Sequence, residues 1–297
     1  MWRVPPRSSE SRDLPPVEPS LSGDAVSVEI RLVRTHDEFA ACEAMSRDIW
    51  GAAERNVVPR ELLVTMQHNG GVVHGAFLPQ GRLVGFCFAF LGTRDGQLRL
   101  CSHQLGVLAE FRGSGIGIAL KQAQRYDALR RGYELVTWTF DPLEARNAYI
   151  NLHRLGCIAR LYDRDHYGPM EDDLNRGLPS DRLEAEWWLS RAKPLIAADP
   201  QVMLRVGSNG EPVREDLDLS PRTTALIAVP PDFQEVKRRS LELALRWRME
   251  SRAAFEAALA AGLIAIDFRR DGSYVMARPS PDAGGATGAT RAVETSG

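Results

Sequence analysis

Between Leu105 and Lys121 the chain passes from apolar strand residues through Arg112-Gly113-Ser114-Gly115-Ile116-Gly117 into an amphipathic run. In that run Ile116, Ala119, Leu120, Ala123 and Tyr126 recur at helical spacing. A strand that turns through glycines straight into a helix aims several backbone N–H groups, and the positive end of the helix dipole, at one point. That point suits a phosphate. A Walker loop is excluded because no Gly-Lys-Ser/Thr follows the glycines. A dinucleotide fingerprint fits poorly, since the order is Arg-x-x-Gly-x-Gly and the next strand does not end on the required acidic residue. The alternative is a turn that needs glycine for backbone geometry alone.

The 297 residues suffice for one large or two modest domains. A net charge of −2, with no basic block interleaved with aromatics, argues against nucleic acid as a partner. No apolar run approaches the roughly 18 residues of a membrane span, and the N-terminal arginines are followed by no apolar signal region. Cys42, Cys87, Cys101 and Cys157 form no C-x-x-C pair, which points to reduced thiols and a cytoplasmic location. The histidines lack metal-ligand spacing, so no metal is expected.

Along the chain, residues 1–26 are rich in Pro, Ser and charge and read as a disordered leader. An α/β domain is expected over 27–192. It starts with an alternating strand at Val28–Arg34 and a helix from Asp37 to Trp50 capped by Thr35, followed by a short helix from Pro59 with Leu62, Leu63 and Met66 inward. Strands at Val72–Phe77 and Arg82–Leu91 are joined by Pro79-Gln80-Gly81. A fourth strand, Leu98–Val107, then delivers the glycine loop and a helix ending at Gly132. Leu135–Phe140 is apolar on both faces, and Asp141-Pro142 with Glu144 reads as the cap of a further helix ending at Gly156. The polar stretch from Asp163 to Asp181 is a long loop, followed by a strand from Arg182 to Leu189. From 193 to 279 the texture changes to a smaller α+β segment, with hairpins about Asn209-Gly210 and Asp271-Gly272 and one long helix over Phe233–Ala261. Residues 280–297 read as a disordered tail.

Taken together, Arg112-x-x-Gly115-x-Gly117 after a strand ending Leu105-x-Val107, and Asn147-Ala148 leading to Leu155-Gly156 after the next strand, resemble the GNAT superfamily of acyl-CoA N-acyltransferases. The resemblance covers roughly 28–190. It implies a mixed, mostly antiparallel sheet with one splayed parallel pair and flanking helices, and an acetyl-CoA or other acyl-CoA co-substrate. It also implies a role for each motif: Arg112, Gly113, Ser114, Gly115, Ile116 and Gly117 grip the pyrophosphate, and Leu105 and Val107 border the pantetheine arm. Asn147 and Asn151, one helical turn apart, stand in for the family's usual asparagine.

Where many members carry a tyrosine acid this chain has Leu152, so Tyr149 and His153 are the nearest replacements. Strand alternation puts His103 on the face of Leu105 and Val107, where an imidazole can serve as base; the alternative is a core histidine bonded to Ser102 or a backbone carbonyl. Cys101 lacks the partners that a nucleophile needs.

The run Asn175-Arg176-Gly177-Leu178-Pro179-Ser180-Asp181-Arg182 resembles a bacterial branch that shares Asp141-Pro142-Leu143, Ile49-Trp50-Gly51 and Trp247-Arg248 and includes amino-acid N-acetyl- and N-succinyltransferase-like members. Arg176 and Arg182 can each fork onto a carboxylate, or can pair with Asp181 inside a turn. The expected activity is transfer of acetyl or succinyl from acyl-CoA to the primary amine of a small metabolite, an amino acid above all. A non-catalytic acyl-CoA-binding module and a protein or peptide acceptor are the alternatives, and a homodimer is left open.

Overall fold

The computed structural model describes residues 27–50, 57–170, 172, 175–191, 200–215, 217–219 and 224–278. The expected leader, the tail and Gly51 lie outside them. The chain forms two compact units, 1–136 and 137–297, dividing within a strand. The change of composition near 193 therefore does not coincide with this division.

In the first unit, β1 (Glu29–Leu32), β2 (Val72–Phe77), β3 (Leu83–Arg94) and β4 (Gln97–Val107) pair in sequence as an antiparallel meander. Phe86 and Phe88 of β3 join Val33, Phe39, Cys42, Met45 and Leu63 in one core cluster. Cys87 between them joins Ile116, Ala119, Leu120 and Ala123 in another, so neighbouring residues serve opposite sheet faces. The first cluster belongs to α1 (His36–Trp50) and α2 (Arg60–His68), the second to α3 (Ile116–Arg130).

Thr35 begins α1 as expected, through a reciprocal capping box. The Glu38 N–H donates to Thr35 Oγ1 at 3.2 Å and the Thr35 N–H to Glu38 Oε2 at 3.3 Å. On α2 only Leu63 is buried. Leu62, expected inward, is 49% exposed, because the helix presents a narrow apolar stripe rather than two adjacent positions.

β5 (Leu135–Phe140) leads into the second unit, where the strand order runs from β5 through β7 (Arg182–Trp188), β6 (Ile158–Asp163), β11 (Ile264–Phe268), β12 (Ser273–Ala277), β10 (Ala225–Ala228) and β8 (Gln201–Val206) to β9 (Pro212–Arg214). β7 and β6, β6 and β11, β11 and β12, β12 and β10, and β8 and β9 pair antiparallel, whereas β8 and β10 pair parallel, so this sheet is mixed. β6 was not visible in the sequence, since the polar residues after it masked its short apolar start.

The expected long C-terminal helix is two helices, α5 (Phe233–Arg239) and α6 (Leu241–Ala260). Ser240 breaks them in extended conformation and caps α6 by accepting from the Leu243 N–H. Under α6 an aromatic group packs tightly: Phe255 meets Tyr274 edge-on at 4.9 Å and stacks on Tyr162 at 5.6 Å.

Within the first unit His74 of β2 is buried, with Nε2 2.8 Å from Asp127 Oδ2 on α3. Burial works against its charge, but the hydrogen bond to Asp127 prevails and raises the His74 pKa to about 9. A folded-state pKa above the ordinary imidazole value gives stability that is complete below about pH 6.5 and lost as pH rises through about 9, worth up to roughly 3 kcal/mol. Denaturant unfolding followed from pH 6 to 10 is expected to show that loss, and Asp127→Asn is expected to flatten it.

Candidate functional site

The glycine loop leaves β4 through a 3-10 turn at Ala109–Phe111 and enters α3 at Gly115. Gly113 (φ 88°) and Gly115 (φ 87°) both lie in the left-handed region that side chains rarely adopt. The turn is fastened from within: Ser114 Oγ donates to Phe111 O at 2.7 Å and Arg112 Nε to Val107 O at 3.3 Å.

No side chain caps α3, and its first turn carries no acidic residue. The first-turn N–H groups consequently have no intrahelical acceptor and stand at the positive end of the dipole. A Cβ on Gly113 would meet nothing within 4 Å, so the space over the loop is open. These features fit a diphosphate held by main-chain donors.

The side chains have other duties. Ile116 is a core residue at 2% exposure, and Leu105 and Val107 lean on the same α3-side cluster. A Cβ on Gly117 would touch Leu105 Cδ2 at 3.4 Å, an ordinary contact, so Gly117 is not required for internal packing.

His103 stands elsewhere than alternation predicts. The β3–β4 register passes from Phe88↔Gln104 to Ala89↔Ser102, making His103 the extra residue of a β-bulge. The bulge turns its ring to Phe88 and Phe90, with centroids 5.5 and 6.4 Å away, and puts it on the α1 side with Gln104, which accepts from Ser46 Oγ. Leu105 and Val107 are on the other face, so the expected shared face is corrected. Packing on Phe88 desolvates one side of the imidazole and lowers its pKa, leaving a base that stays uncharged at neutral pH while its outer edge remains exposed.

In the second unit the motifs from the sequence converge on a buried ion network. Arg248 of α6, 1% exposed, donates two hydrogen bonds to Asp141, at 2.9 Å to Oδ1 and 2.6 Å to Oδ2. Asp141 Oδ1 also accepts the Leu143 N–H at 2.8 Å. Asp141 is therefore a turn residue and ion-pair partner. It does not cap a helix, and α4 (Ala145–Ala148) begins after Glu144. Burial disfavours the charge on Asp181, yet Arg252 in bidentate contact and the Tyr162 hydroxyl at 2.6 Å hold its pKa below the carboxylate norm.

Arg182 lies in the same network at 7% exposure. It donates to the Asp181 carbonyl and to Asn175 Oδ1, both at 2.8 Å, and stands 3.7 Å from Asp141. Its fork is committed to holding the 163–181 loop, which corrects its expected role as a carboxylate receptor. Arg176 is exposed.

The helix after β5 changes from α at Ala145–Ala148 to π at Tyr149–Arg154, with the Leu155 N–H reaching Ile150 O at 2.9 Å, and ends at Gly156 (φ 75°). A π turn shifts the rotation per residue. Asn147 is exposed and Asn151 buried. Tyr149 and His153 do come together, stacked with centroids 4.7 Å apart.

The structure adds one partner that the sequence analysis missed: Asp267 of β11, whose Oδ1 lies 3.1 Å from His153 Nδ1. An Asp more than a hundred residues away carries no local sequence signal. Among the described residues no group of three or more His, Cys, Asp or Glu side chains is placed to hold a metal ion. No helix of the described residues is long and apolar enough to cross a membrane.

No family model matches the sequence, and no curated protein matches it. Among solved structures the chain is similar to a Desulfovibrio desulfuricans protein assigned to the GNAT acetyltransferase family, at 16% identity and TM-score 0.43, covering 55% of this chain and 99% of that one. It is also similar to a chain of the NatC complex bound to Gag peptide and CoA, at 13% identity and TM-score 0.44, covering 55% and 99%. A third is an aminoglycoside acetyltransferase from an uncultured soil metagenomic sample, at 18% identity and TM-score 0.35, covering 38% and 78%.

Removing Arg248 would strand Asp141 in a desolvated setting. Arg248→Met is expected to lower unfolding stability by about 3–5 kcal/mol, and Arg176→Ala to stay within about 0.5 kcal/mol of wild type. Denaturant titration of the two variants checks both figures.

Proposed function

We propose that the chain is an acyl-CoA-dependent N-acyltransferase, transferring acetyl or succinyl to the primary amine of a small metabolite by direct attack in a ternary complex. The observation that carries this reading is the uncapped, acid-free first turn of α3, presented by two left-handed glycines directly after β4 within the motif Arg112-x-x-Gly115-x-Gly117. Main-chain donors in that arrangement match the oxygens of a diphosphate, and the dipole adds attraction. Arg112, exposed at the same turn, supplies a cation beside it.

An ammonium must lose a proton before its nitrogen can attack a thioester. His103, uncharged at neutral pH and open to solvent on one edge, suits that step. The four free cysteines fit a reducing, cytoplasmic setting. Arg182 is occupied within its own loop, so an amino acid as acceptor draws no support from it. Leu152, fully buried at the position of the family's usual acid, favours the second reading, an acyl-CoA-binding module without turnover.

Incubation with acetyl-CoA or succinyl-CoA and a panel of amines, following free thiol, separates the two. Steady CoA release with any pair is the expected result; binding without release in every pair supports the module instead. Gly115→Val, which forces a β-branched residue to φ near 87°, is expected to weaken CoA binding at least tenfold by calorimetry while circular dichroism stays unchanged. With His103 as base, kcat/KM falls as acid protonates its ring, with an inflection below pH 6.5, and His103→Gln removes that limb.

A further inference from the structure

Two successive residues of β4, His103 and Gln104, stand on the same face of the sheet, where regular alternation would separate them. The bulge between Phe88↔Gln104 and Ala89↔Ser102 puts them there. Ser102, just before it, still faces α3, where its Oγ accepts from Lys121 Nζ at 2.7 Å. The acyltransferase reading gives His103 a task and Gln104 none.

The surroundings of the exposed imidazole are aromatic. Phe88 is 1% exposed and packs under the ring, whereas Phe90, at 38%, leaves part of its own ring open beside it. Burial alone depresses the His103 pKa; no carboxylate or guanidinium among the described residues contributes. Arg99, farther back along β4, is 9% exposed and its Nη2 donates to the Arg94 carbonyl at 3.4 Å, at the β3–β4 turn. Gln104 is half-buried, and its Oε1 accepts from the hydroxyl of Ser46 on α1 at 3.3 Å. Ser46 is itself 3% exposed, so the carboxamide is anchored from the interior. With the oxygen engaged, Nε2 keeps both its N–H donors, which have no partner among the described residues.

We propose that Gln104 determines which amine is accepted: its Nε2 donates to a neutral carbonyl oxygen beside the reacting amine, Phe90 takes up an apolar body, and Ser46 holds the carboxamide in orientation. This rests on the acyltransferase reading and on His103 as its base. The acceptor class is an α-amino carbonyl compound with an apolar side chain and no free carboxylate. A carboxylate brought from water onto the Phe90 ring gives up hydration and meets a neutral amide in return. An uncharged carbonyl only exchanges a hydrogen bond to water for one to Gln104. An amine that lacks the carbonyl leaves Nε2 unpaired as the acceptor covers it, which selects against that amine. An amino-acid amide and the first residue of a peptide offer the same oxygen, and the test separates these two sources.

The test follows thiol release by the full chain with acetyl-CoA and, in a second series, succinyl-CoA, at equal concentrations of unprotonated amine. Phenylalaninamide is expected to exceed both phenylalanine and phenethylamine in kcat/KM by about tenfold or more. Gln104→Leu is expected to raise KM for phenylalaninamide about tenfold with kcat within about twofold, and so to remove its advantage over phenethylamine. Ser46→Ala is expected to raise the same KM by a smaller factor, and Phe90→Ala to narrow the preference for phenylalaninamide over glycinamide. A tripeptide that begins with phenylalanine and outruns phenylalaninamide assigns the oxygen to a peptide; a slower one assigns it to a small amide, and Gln104 keeps its role in both. Phenylalanine turned over as fast as its amide overturns the assignment, and this wild-type comparison decides the matter even if Gln104→Leu does not fold. A folded Gln104→Leu that loses kcat equally with every amine overturns it too, since the side chain then serves only the bulge. Release of thiol without any preference among the amines overturns this assignment alone, whereas no release with any amine overturns the acyltransferase reading and this assignment with it.

Discussion

The second unit depends on one desolvated ion pair, the fork of Arg248 on Asp141. A guanidinium at 1% exposure has given up nearly all its hydration, and only a bidentate carboxylate close by makes that tolerable. Burial would lower the arginine's pKa, but Asp141 more than restores it. Because Asp141 lies where β5 ends and Arg248 lies midway along α6, the pair fixes the start of the helix bearing Tyr149 and His153 relative to the C-terminal segment. The Tyr274 hydroxyl, donating to Pro142 O at 2.7 Å, fastens the same corner.

That dependence changes what the distinctive motifs mean. Asp141-Pro142, the Asn175–Arg182 run and Trp247-Arg248 look from sequence like separate signatures, one of them shaped for a carboxylate ligand. In the fold they are pieces of a single interior network in which Asp141, Asp181, Arg182, Arg248 and Arg252 are linked by hydrogen bonds and ion pairs. Charged residues that recur in a motif need not face a substrate; here most of them solve a burial problem.

The groups with chemistry to offer sit instead at breaks in regular structure. His103 is the extra residue of a bulge in β4, His153 rides a π turn, and Asp267 follows a bulge in β11. At each place the local ladder is interrupted and a side chain points where regular geometry would not send it. Gly113 and Gly115 do the same for main-chain amides. Each break costs stability, which the aromatic cluster around Phe255 and Tyr274 and the clusters flanking β3 must supply.

The sequence by itself determined the α/β class, the boundaries of β2 and β5 and the α1 cap. It also located the glycine loop. All of these follow from residues within a few positions of one another, where periodicity, φ preference and capping act. Only the tertiary structure decided the face of His103, the burial of Asn151, the commitment of Arg182 and the partnership of Asp267. A bulge or a π turn is a change of one residue in register, enough to reverse a side chain's direction without altering composition. An ion pair between residues a hundred positions apart forms because burial leaves a charge no other choice, and burial is a property that no local window of sequence contains.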